Sequence, residues 1–305
     1  MHSFGEELTA PANGLEISYQ EMGDPSGEPL ILVMGLATQM LGWDEGFCSL
    51  LADRGFRVIR FDNRDIGRST KLSSAGVPSR LDMMSGRRAT APYLLRDMAR
   101  DTFGLMDHLR IDAAHLVGAS MGGMIVQAAA IEHPERVRSM VSIMSTTGSR
   151  WTGLPSWRAM GVLLGAPPRD RDTVIERAVR TFKVIGSPDY PFEEDRIRDI
   201  AGRSYDRGHS AAGVARQLHA ITASGDRTRS LRNVRVPTTV IHGKRDILVR
   251  PAGGRATARA IPGARLKMID GMAHDLPQQL WPAFVDEIAG TAARASAGES
   301  AKQPA

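Results

Sequence analysis

Residues 115–130 read HLVGASMGGMIVQAAA, and this stretch decides the predicted fold. An apolar strand pattern runs directly into a helical pattern, and the junction carries the spacing G-x-S-x-G at Gly118, Ser120 and Gly122. A strand that turns into a helix within one or two residues strains the serine backbone and lifts its hydroxyl clear of the sheet. Backbone N–H groups at the start of the helix can then stabilise negative charge beside it. Ser120 is therefore the predicted nucleophile, and a capping serine in a glycine-rich turn is the alternative.

Strand and helix patterns alternate on both sides of this stretch. Residues 29–36 are continuously apolar, as in a strand that is buried on both faces, and residues 56–61 are interpreted as a second such strand. Residues 14–22 alternate like a half-buried edge strand. This order predicts the α/β class, with a mostly parallel central sheet and helices on both faces. The remaining patterns are strands at 114–118, 140–144, 237–242 and 265–269, and helices at 43–53, 94–109, 121–133, 254–260 and 280–293.

One region interrupts the alternation. Residues 147–233 contain no strand pattern, and their apolar residues recur at helical spacing. The sequence therefore predicts a discontinuous core domain, 1–146 and 234–295, into which a helical cap of residues 147–233 is inserted. Residues 296–305 are small and polar and are predicted to be a disordered tail. The helical patterns within the cap are 171–185, 193–205 and 211–223.

A serine hydroxyl needs a general base to become a nucleophile. Of the eight histidines, His274 follows the last strand on a glycine-containing loop, at the sheet edge where folds of this class bind ligands. Asp246 follows the preceding strand and is predicted to orient His274, which gives the chain order expected with G-x-S-x-G. Asp270 and Asp275 are rival acids by proximity. A surface loop histidine and an N-capping aspartate are the alternatives for these two positions.

An oxyanion hole needs two hydrogen-bond donors that are already in place. The backbone N–H of Met121, directly after the predicted nucleophile, is the first candidate. The second is expected in the loop after the strand at 29–36, where Gly35 permits a tight turn and the N–H of Leu36 is the candidate. An ordinary strand-to-helix turn is the alternative for that loop.

Five short segments carry a family resemblance. Together they resemble the α/β-hydrolase superfamily over residues 14–293 and, within it, bacterial esterases related to aclacinomycin methylesterase. The resemblance implies a serine hydrolase with the triad Ser120, Asp246 and His274, and with no cofactor or metal. In order along the chain, the segments are VMGLA at 33–37, RFDNRDIGRST at 60–70, GASMGG at 118–123, HGKRD at 242–246 and GMAH at 271–274.

Three positions depart from the family pattern. Met34 stands where many relatives have His, and Asp65 and Ala273 stand where Gly is common. None of these changes removes a triad group, and the first indicates an apolar pocket wall. The inserted region resembles the family's cap, which shapes the substrate pocket, although packing of the cap on the core is an alternative role for its apolar residues. The predicted pocket residues are Met34, Trp151, Leu154, Trp157 and Met160.

Composition and charge exclude several other classes of function. The 305 residues carry a net charge of only +5, with basic and acidic residues interleaved, so no nucleic-acid partner is expected. The single cysteine, Cys48, excludes an intramolecular disulfide and a cysteine-based metal cluster. The apolar stretches are too short for a membrane span and no signal-peptide pattern occurs, so a cytoplasmic location without stable membrane anchoring is expected. The sequence does not indicate an oligomeric state.

The leading hypothesis is a serine-dependent hydrolase that cleaves carboxylic esters of small or medium-sized molecules through an acyl-enzyme. A C–C hydrolase, or a cofactor-free haloperoxidase or perhydrolase-like enzyme, would use the same triad on another bond. A ligand-binding protein on a hydrolase scaffold is the alternative from another class, and it would have no need for all three triad groups.

Overall fold

In the computed structural model, which describes residues 2–163, 168 and 170–300, eight strands form a single sheet. The strands are β1 (Leu8–Ala12), β2 (Leu15–Met22), β3 (Glu28–Val33), β4 (Phe56–Phe61), β5 (Ala114–Ala119), β6 (Val137–Ile143), β7 (Thr238–Gly243) and β8 (Arg265–Ile269). Their order is β1-β2-β4-β3-β5-β6-β7-β8. The β1–β2 and β2–β4 pairs are antiparallel, and all the other pairs are parallel.

Helices cover both faces of this sheet. They are α1 (Glu45–Ala52), α2 (Arg80–Ser85), α3 (Leu95–His108), α4 (Met121–Glu132), α5 (Trp157–Leu163), α6 (Arg171–Ile185), α7 (Glu194–Gly208), α8 (Ala211–Ser224), α9 (Thr228–Leu231), α10 (Pro251–Ala260) and α11 (Trp281–Ser300). Helices α3 and α4 pack in the apolar cluster on one face, and α1 and α11 pack in the cluster on the other. None of the described helices is long and apolar enough to cross a membrane.

Strands β3 to β6 are mostly apolar because each of them contributes to both clusters. In β3, Ile31 and Val33 belong to the cluster with α3 and α4, whereas Leu30 and Leu32 belong to the cluster with α1 and α11. This alternation explains the continuously apolar run that predicted a strand buried on both faces. The predicted α/β class, with a mostly parallel sheet and an inserted helical region, is confirmed.

The two ends of the chain differ from the sequence prediction. Strand β1 was not predicted, although Asn13 and Gly14, with φ of 50° and 76°, form the tight turn that joins it to β2. An Asn-Gly pair between two strands is a strong hairpin signal, but Pro11 weakens the strand pattern before it. At the other end, α11 continues through Ser300, into the segment predicted to be a disordered tail. Residues 301–305 lie outside the described residues.

The inserted helices α5 to α9 lie between β6 and β7 in sequence and are joined to the core by buried polar contacts. Arg216 of α8 donates two hydrogen bonds, of 2.8 and 2.6 Å, to the carboxylate of Asp65. That carboxylate also accepts the Tyr93 hydroxyl at 2.7 Å. Asp65 has a φ of 71°, which accounts for the glycine common at this position in relatives. Aspartate here adds the carboxylate that binds Arg216 of the inserted helix α8.

Candidate active site

Ser120 lies at the junction of β5 and α4, in a backbone conformation that few residues adopt. Its φ is 55° and its ψ is −116°, a region that favours glycine. Two hydrogen bonds hold it there: its N–H donates to the Ile143 carbonyl at 2.9 Å, and its own carbonyl accepts the Ser145 hydroxyl at 2.8 Å. The Ser120 hydroxyl makes no capping bond to α4, so it is available for another role.

The flanking glycines are required by close backbone contacts. A Cβ on Gly118 would lie 2.2 Å from the carbonyl oxygen of Gly122. A Cβ on Gly122 would lie 2.0 Å from the carbonyl oxygen of Val33. Any side chain at these positions would push α4 away from β5 and from the end of β3. The two glycines of the G-x-S-x-G motif are therefore required because the first turn of α4 packs closely on β5 and on the end of β3.

The three predicted triad residues meet at the carboxyl ends of the strands. The Ser120 hydroxyl lies 2.9 Å from His274 Nε2, and His274 Nδ1 lies 2.7 Å from Asp246 Oδ2. The other oxygen of Asp246 accepts the backbone N–H groups of Leu248 and Val249, both at 2.9 Å. This second pair of hydrogen bonds fixes the orientation of the carboxylate that faces His274.

The charge state of Asp246 follows from its surroundings. Burial acts to raise the pKa of Asp246, but the charge and hydrogen bonds of His274 and His242 outweigh it and hold that pKa well below its usual range. Asp246 is therefore a carboxylate that can only accept hydrogen bonds, so His274 carries its hydrogen on Nδ1. In the neutral form of the imidazole, Nε2 is then left as the acceptor for the Ser120 hydroxyl, which is the tautomer that a general base requires.

The two rival acids have other partners. Asp275 accepts hydrogen bonds from the backbone N–H and the hydroxyl of Ser187. Asp270 is exposed and pairs with Lys244 at 2.8 Å. Among the described hydrogen bonds, neither carboxylate reaches His274. Asp246 is thus the acid that the fold brings to this histidine.

The loop that carries His274 is attached to the inserted helices, which the sequence analysis did not foresee. The His274 N–H donates to the Ile185 carbonyl, at the end of α6, at 2.9 Å. The neighbouring Ala273 N–H donates to the Ser187 hydroxyl at 2.8 Å. Ser187 therefore joins Ala273 and Asp275, the residues on either side of His274. No local sequence signal marks such a contact, because it joins segments far apart in the chain.

The two candidate oxyanion donors belong to segments that adjoin Ser120. Gly35 passes so close that a Cβ on it would lie 3.1 Å from the Ser120 Cβ. The N–H of Met121 is at the first position of α4 and has no partner within the helix. In the part of the chain that the structure describes, neither this N–H nor that of Leu36 donates to a protein acceptor. Both groups are therefore free to bind an oxygen held near Ser120.

The segment RFDNRDIGRST braces the loop after β3. Asn63 donates to the Met34 carbonyl at 2.9 Å, and Asp62 accepts the Met40 N–H at 2.8 Å. Asp62 also accepts Arg207 of α7 at 2.9 Å. Through these hydrogen bonds, the motif holds the backbone of the loop after β3, which contains the candidate oxyanion donor Leu36.

The predicted pocket residues occupy two different environments. Met34 is buried, but Trp151 and Trp157 are 92% and 81% exposed, and Leu154 and Met160 are also exposed. Their part in substrate binding stays a prediction. A groove of about 860 Å³ lies beside Asp246. None of the five predicted pocket residues is among the residues that line it. Its walls include aromatic residues of the cap and cations of the core and cap, among them Phe182, Tyr190, Phe192, Arg158, Arg245 and Arg250.

Comparison with known proteins agrees with this geometry. The family described as alpha/beta hydrolase fold matches residues 28–277. The chain belongs to this family. It is 29% identical to the rhodomycin D methylesterase of Streptomyces sp. (strain C5), over 84% of this chain and 88% of that protein. It is 28% identical to that of Streptomyces peucetius, over 89% and 91%. The enol-lactonase structure from Burkholderia xenovorans LB400 is 26% identical, with a TM-score of 0.70, covering 93% of this chain and 99% of that one.

The resemblance drawn from the five segments is therefore confirmed. The hydrolase family supplies the fold, and the methylesterases are the curated relatives that this chain resembles over most of both lengths.

The strain at Ser120 predicts different stabilities for two small substitutions. Ser120→Ala keeps a side chain in the strained region, whereas Ser120→Gly relieves the strain at the cost of some backbone entropy. We expect the glycine variant to be more stable than the alanine variant by about 1 kcal/mol. Urea unfolding of the two variants measures this difference. An alanine variant that is the more stable of the two would contradict the strained turn.

Proposed function

We propose that this protein is a serine hydrolase that cleaves carboxylic esters of small or medium-sized molecules. The observation that carries the proposal is the pair of hydrogen bonds that joins Asp246 to His274 and His274 to Ser120. A serine paired with a neutral histidine, which is itself oriented by a buried carboxylate, is the arrangement that activates a hydroxyl for acyl transfer.

The reaction follows from the positions of these groups. His274 Nε2 takes the hydroxyl proton as Ser120 Oγ attacks the ester carbonyl, and the resulting oxyanion is bound by the N–H groups of Met121 and Leu36. His274 then gives the proton to the leaving alkoxide, which departs as the alcohol. Water attacks the acyl-enzyme in the same way, with His274 again as the base, and releases the acid and free Ser120. Asp246 stabilises the imidazolium that forms in both steps.

We further propose that the natural substrate is a methyl ester of a bulky acid. Two methylesterases that align with most of this chain support this choice. In this proposal, residues 147–233 form the cap that encloses the acid, and Met34 provides an apolar wall near the ester. The reaction needs no cofactor or metal. We also propose a cytoplasmic location, since the single cysteine, Cys48, has no second cysteine with which to form an intramolecular disulfide.

Substitutions at the triad test the mechanism. We expect Ser120→Ala to lower kcat/KM for a p-nitrophenyl ester by about 10⁴-fold or more, and Asp246→Asn to lower it by about 10⁴-fold. Asp275→Asn is the matched control, because this carboxylate is adjacent to His274 in sequence but is bonded to Ser187. Steady-state kinetics with circular dichroism, to confirm folding, measure the effect. Activity that survives Asp246→Asn but not Asp275→Asn would assign the acid to Asp275.

A substrate panel tests the proposed specificity. The panel combines p-nitrophenyl esters of increasing acyl length, methyl esters of bulky polycyclic acids and small lactones. We expect the highest kcat/KM for the bulky methyl esters, because the cap adds binding surface for a large acyl group. A preference for short p-nitrophenyl esters or for lactones would contradict the methyl-ester proposal but leave the serine hydrolase intact. Folded wild-type protein that a fluorophosphonate fails to label would favour a ligand-binding function.

A further inference from the structure

Gln217 of α8 is a buried amide that joins two loops of the core. Its side chain is fully buried, at 0% exposure. Its Oε1 accepts the backbone N–H of Ala37 at 3.2 Å, and its Nε2 donates to the carbonyl of Arg64 at 2.9 Å. Both ends of the amide are thus bonded to backbone groups of the core, and neither bond is to another residue of the cap.

Ala37 is the residue after Leu36, the candidate oxyanion donor. Its φ is 61°, a conformation that alanine disfavours, so contacts from outside the loop must hold the backbone there. Among the hydrogen bonds that the structure describes, the one donated by the Ala37 N–H goes to Gln217. Without it, this N–H would lose its protein acceptor and the contact that holds the Ala37 backbone at positive φ, and rotation of the peptide away from that conformation would move the adjoining Leu36 N–H.

The next turn of the same loop is also held by the cap. The amide of Gln39 donates to the carbonyls of Ser204 and Gly208, in α7, at 2.6 and 3.0 Å. The loop is therefore attached to α8 at Ala37 and to α7 at Gln39. The Leu36 N–H lies immediately before the first attachment, so among the described residues of the inserted helices Gln217 is the one bonded nearest to it.

We propose that Gln217 is a positioning residue of the oxyanion hole, which holds the Leu36 N–H toward the oxygen that forms at Ser120. The proposal rests on the serine hydrolase function stated above. It makes the cap a part of the catalytic geometry in addition to its role as a cover for the substrate. An interaction of this kind acts on the transition state, because the donor matters most when negative charge develops on the oxygen.

Gln217→Met tests this role, because methionine has a similar length but accepts no N–H from Ala37 and donates nothing to Arg64. Loss of one oxyanion donor lowers kcat by about 100-fold or more, so a displaced donor is expected to lower it by about 10-fold or more, with KM within about threefold of wild type. The affinity for a trifluoromethyl ketone, which forms an oxyanion on Ser120, is expected to fall by the same factor as kcat/KM. A merely structural role would not link these two losses.

Ser210→Ala is the matched control in the same helix. The Ser210 hydroxyl caps α8 by accepting the Gly213 N–H at 3.0 Å, and none of its described hydrogen bonds is to the loop after β3. This variant is expected to lower Tm while kcat and ketone affinity stay within about twofold of wild type. If Gln217→Met does not fold, Gln217→Asn replaces it, since its amide is one methylene too short to reach both Ala37 and Arg64.

The outcomes separate this inference from the proposed function. A folded Gln217 variant with wild-type kcat and ketone affinity, beside a wild type that a fluorophosphonate labels at Ser120, would overturn the inference alone. Equal losses in Gln217→Met and Ser210→Ala would also overturn it, because they would show a general effect of α8. A wild type that is neither labelled nor active on any ester would overturn the proposed function and the inference with it.

Discussion

The strained backbone of Ser120 is the constraint on which the site depends. It exists because β5 runs directly into α4, and two glycines allow this turn to pack against the backbone of β3. The bonds to Ile143 and Ser145 hold the turn in place. The strain has a use, because in this conformation the hydroxyl faces His274 while the N–H at the start of α4 has no partner of its own.

Two loops complete the site, and both are attached to the inserted helices. The loop after β3 is hydrogen-bonded to Gln217 of α8 and to α7. The loop that carries His274 is hydrogen-bonded to Ile185, the last residue of α6, and to Ser187, which follows that helix. The buried pair of Arg216 and Asp65 adds a charged contact between the same two parts of the chain. The inserted region is therefore bonded to the loop of the base and to the loop of a candidate oxyanion donor.

The acid is held mainly by the loop that follows β7. Asp246 accepts the N–H groups of Leu248 and Val249, both at 2.9 Å. The inserted region also reaches this loop, because the Ser156 N–H donates to the carbonyl of Ile247, the residue after Asp246, at 2.8 Å. All three loops that carry the triad acid, the base and a candidate oxyanion donor are therefore bonded to the inserted region.

Sequence patterns predicted the parts of the protein that local physics decides. The apolar runs of β3 and β5 and the glycines around Ser120 are local signals, and they located the sheet and the turn. The order of the strands then limited the acid and base, since Asp246 and His274 follow neighbouring strands β7 and β8 and so meet at one edge. Asp246 could be preferred to Asp275 because adjacent side chains diverge.

Contacts between distant segments could not be read in this way. Gln217 resembles any other polar residue of an amphipathic helix, and Ser187 resembles any loop serine; their partners lie more than 80 residues away. The apolar side chains of Trp151 and Trp157 predict a place in the substrate pocket. Apolar residues can equally lie at the protein surface, and in the structure both tryptophans are exposed. Strand β1 is not predicted because Pro11 weakens its strand pattern, although the Asn-Gly turn that follows it is a strong hairpin signal.

The central claim is that Ser120 accepts the acyl group. Rapid mixing of the enzyme with p-nitrophenyl acetate, followed by an acid quench and peptide mass spectrometry, tests it most directly. The account predicts a burst of about one p-nitrophenol per active site and an acetyl group on the peptide that contains Ser120. Turnover without a covalent acetyl group, or with the acetyl group on another residue, would contradict it.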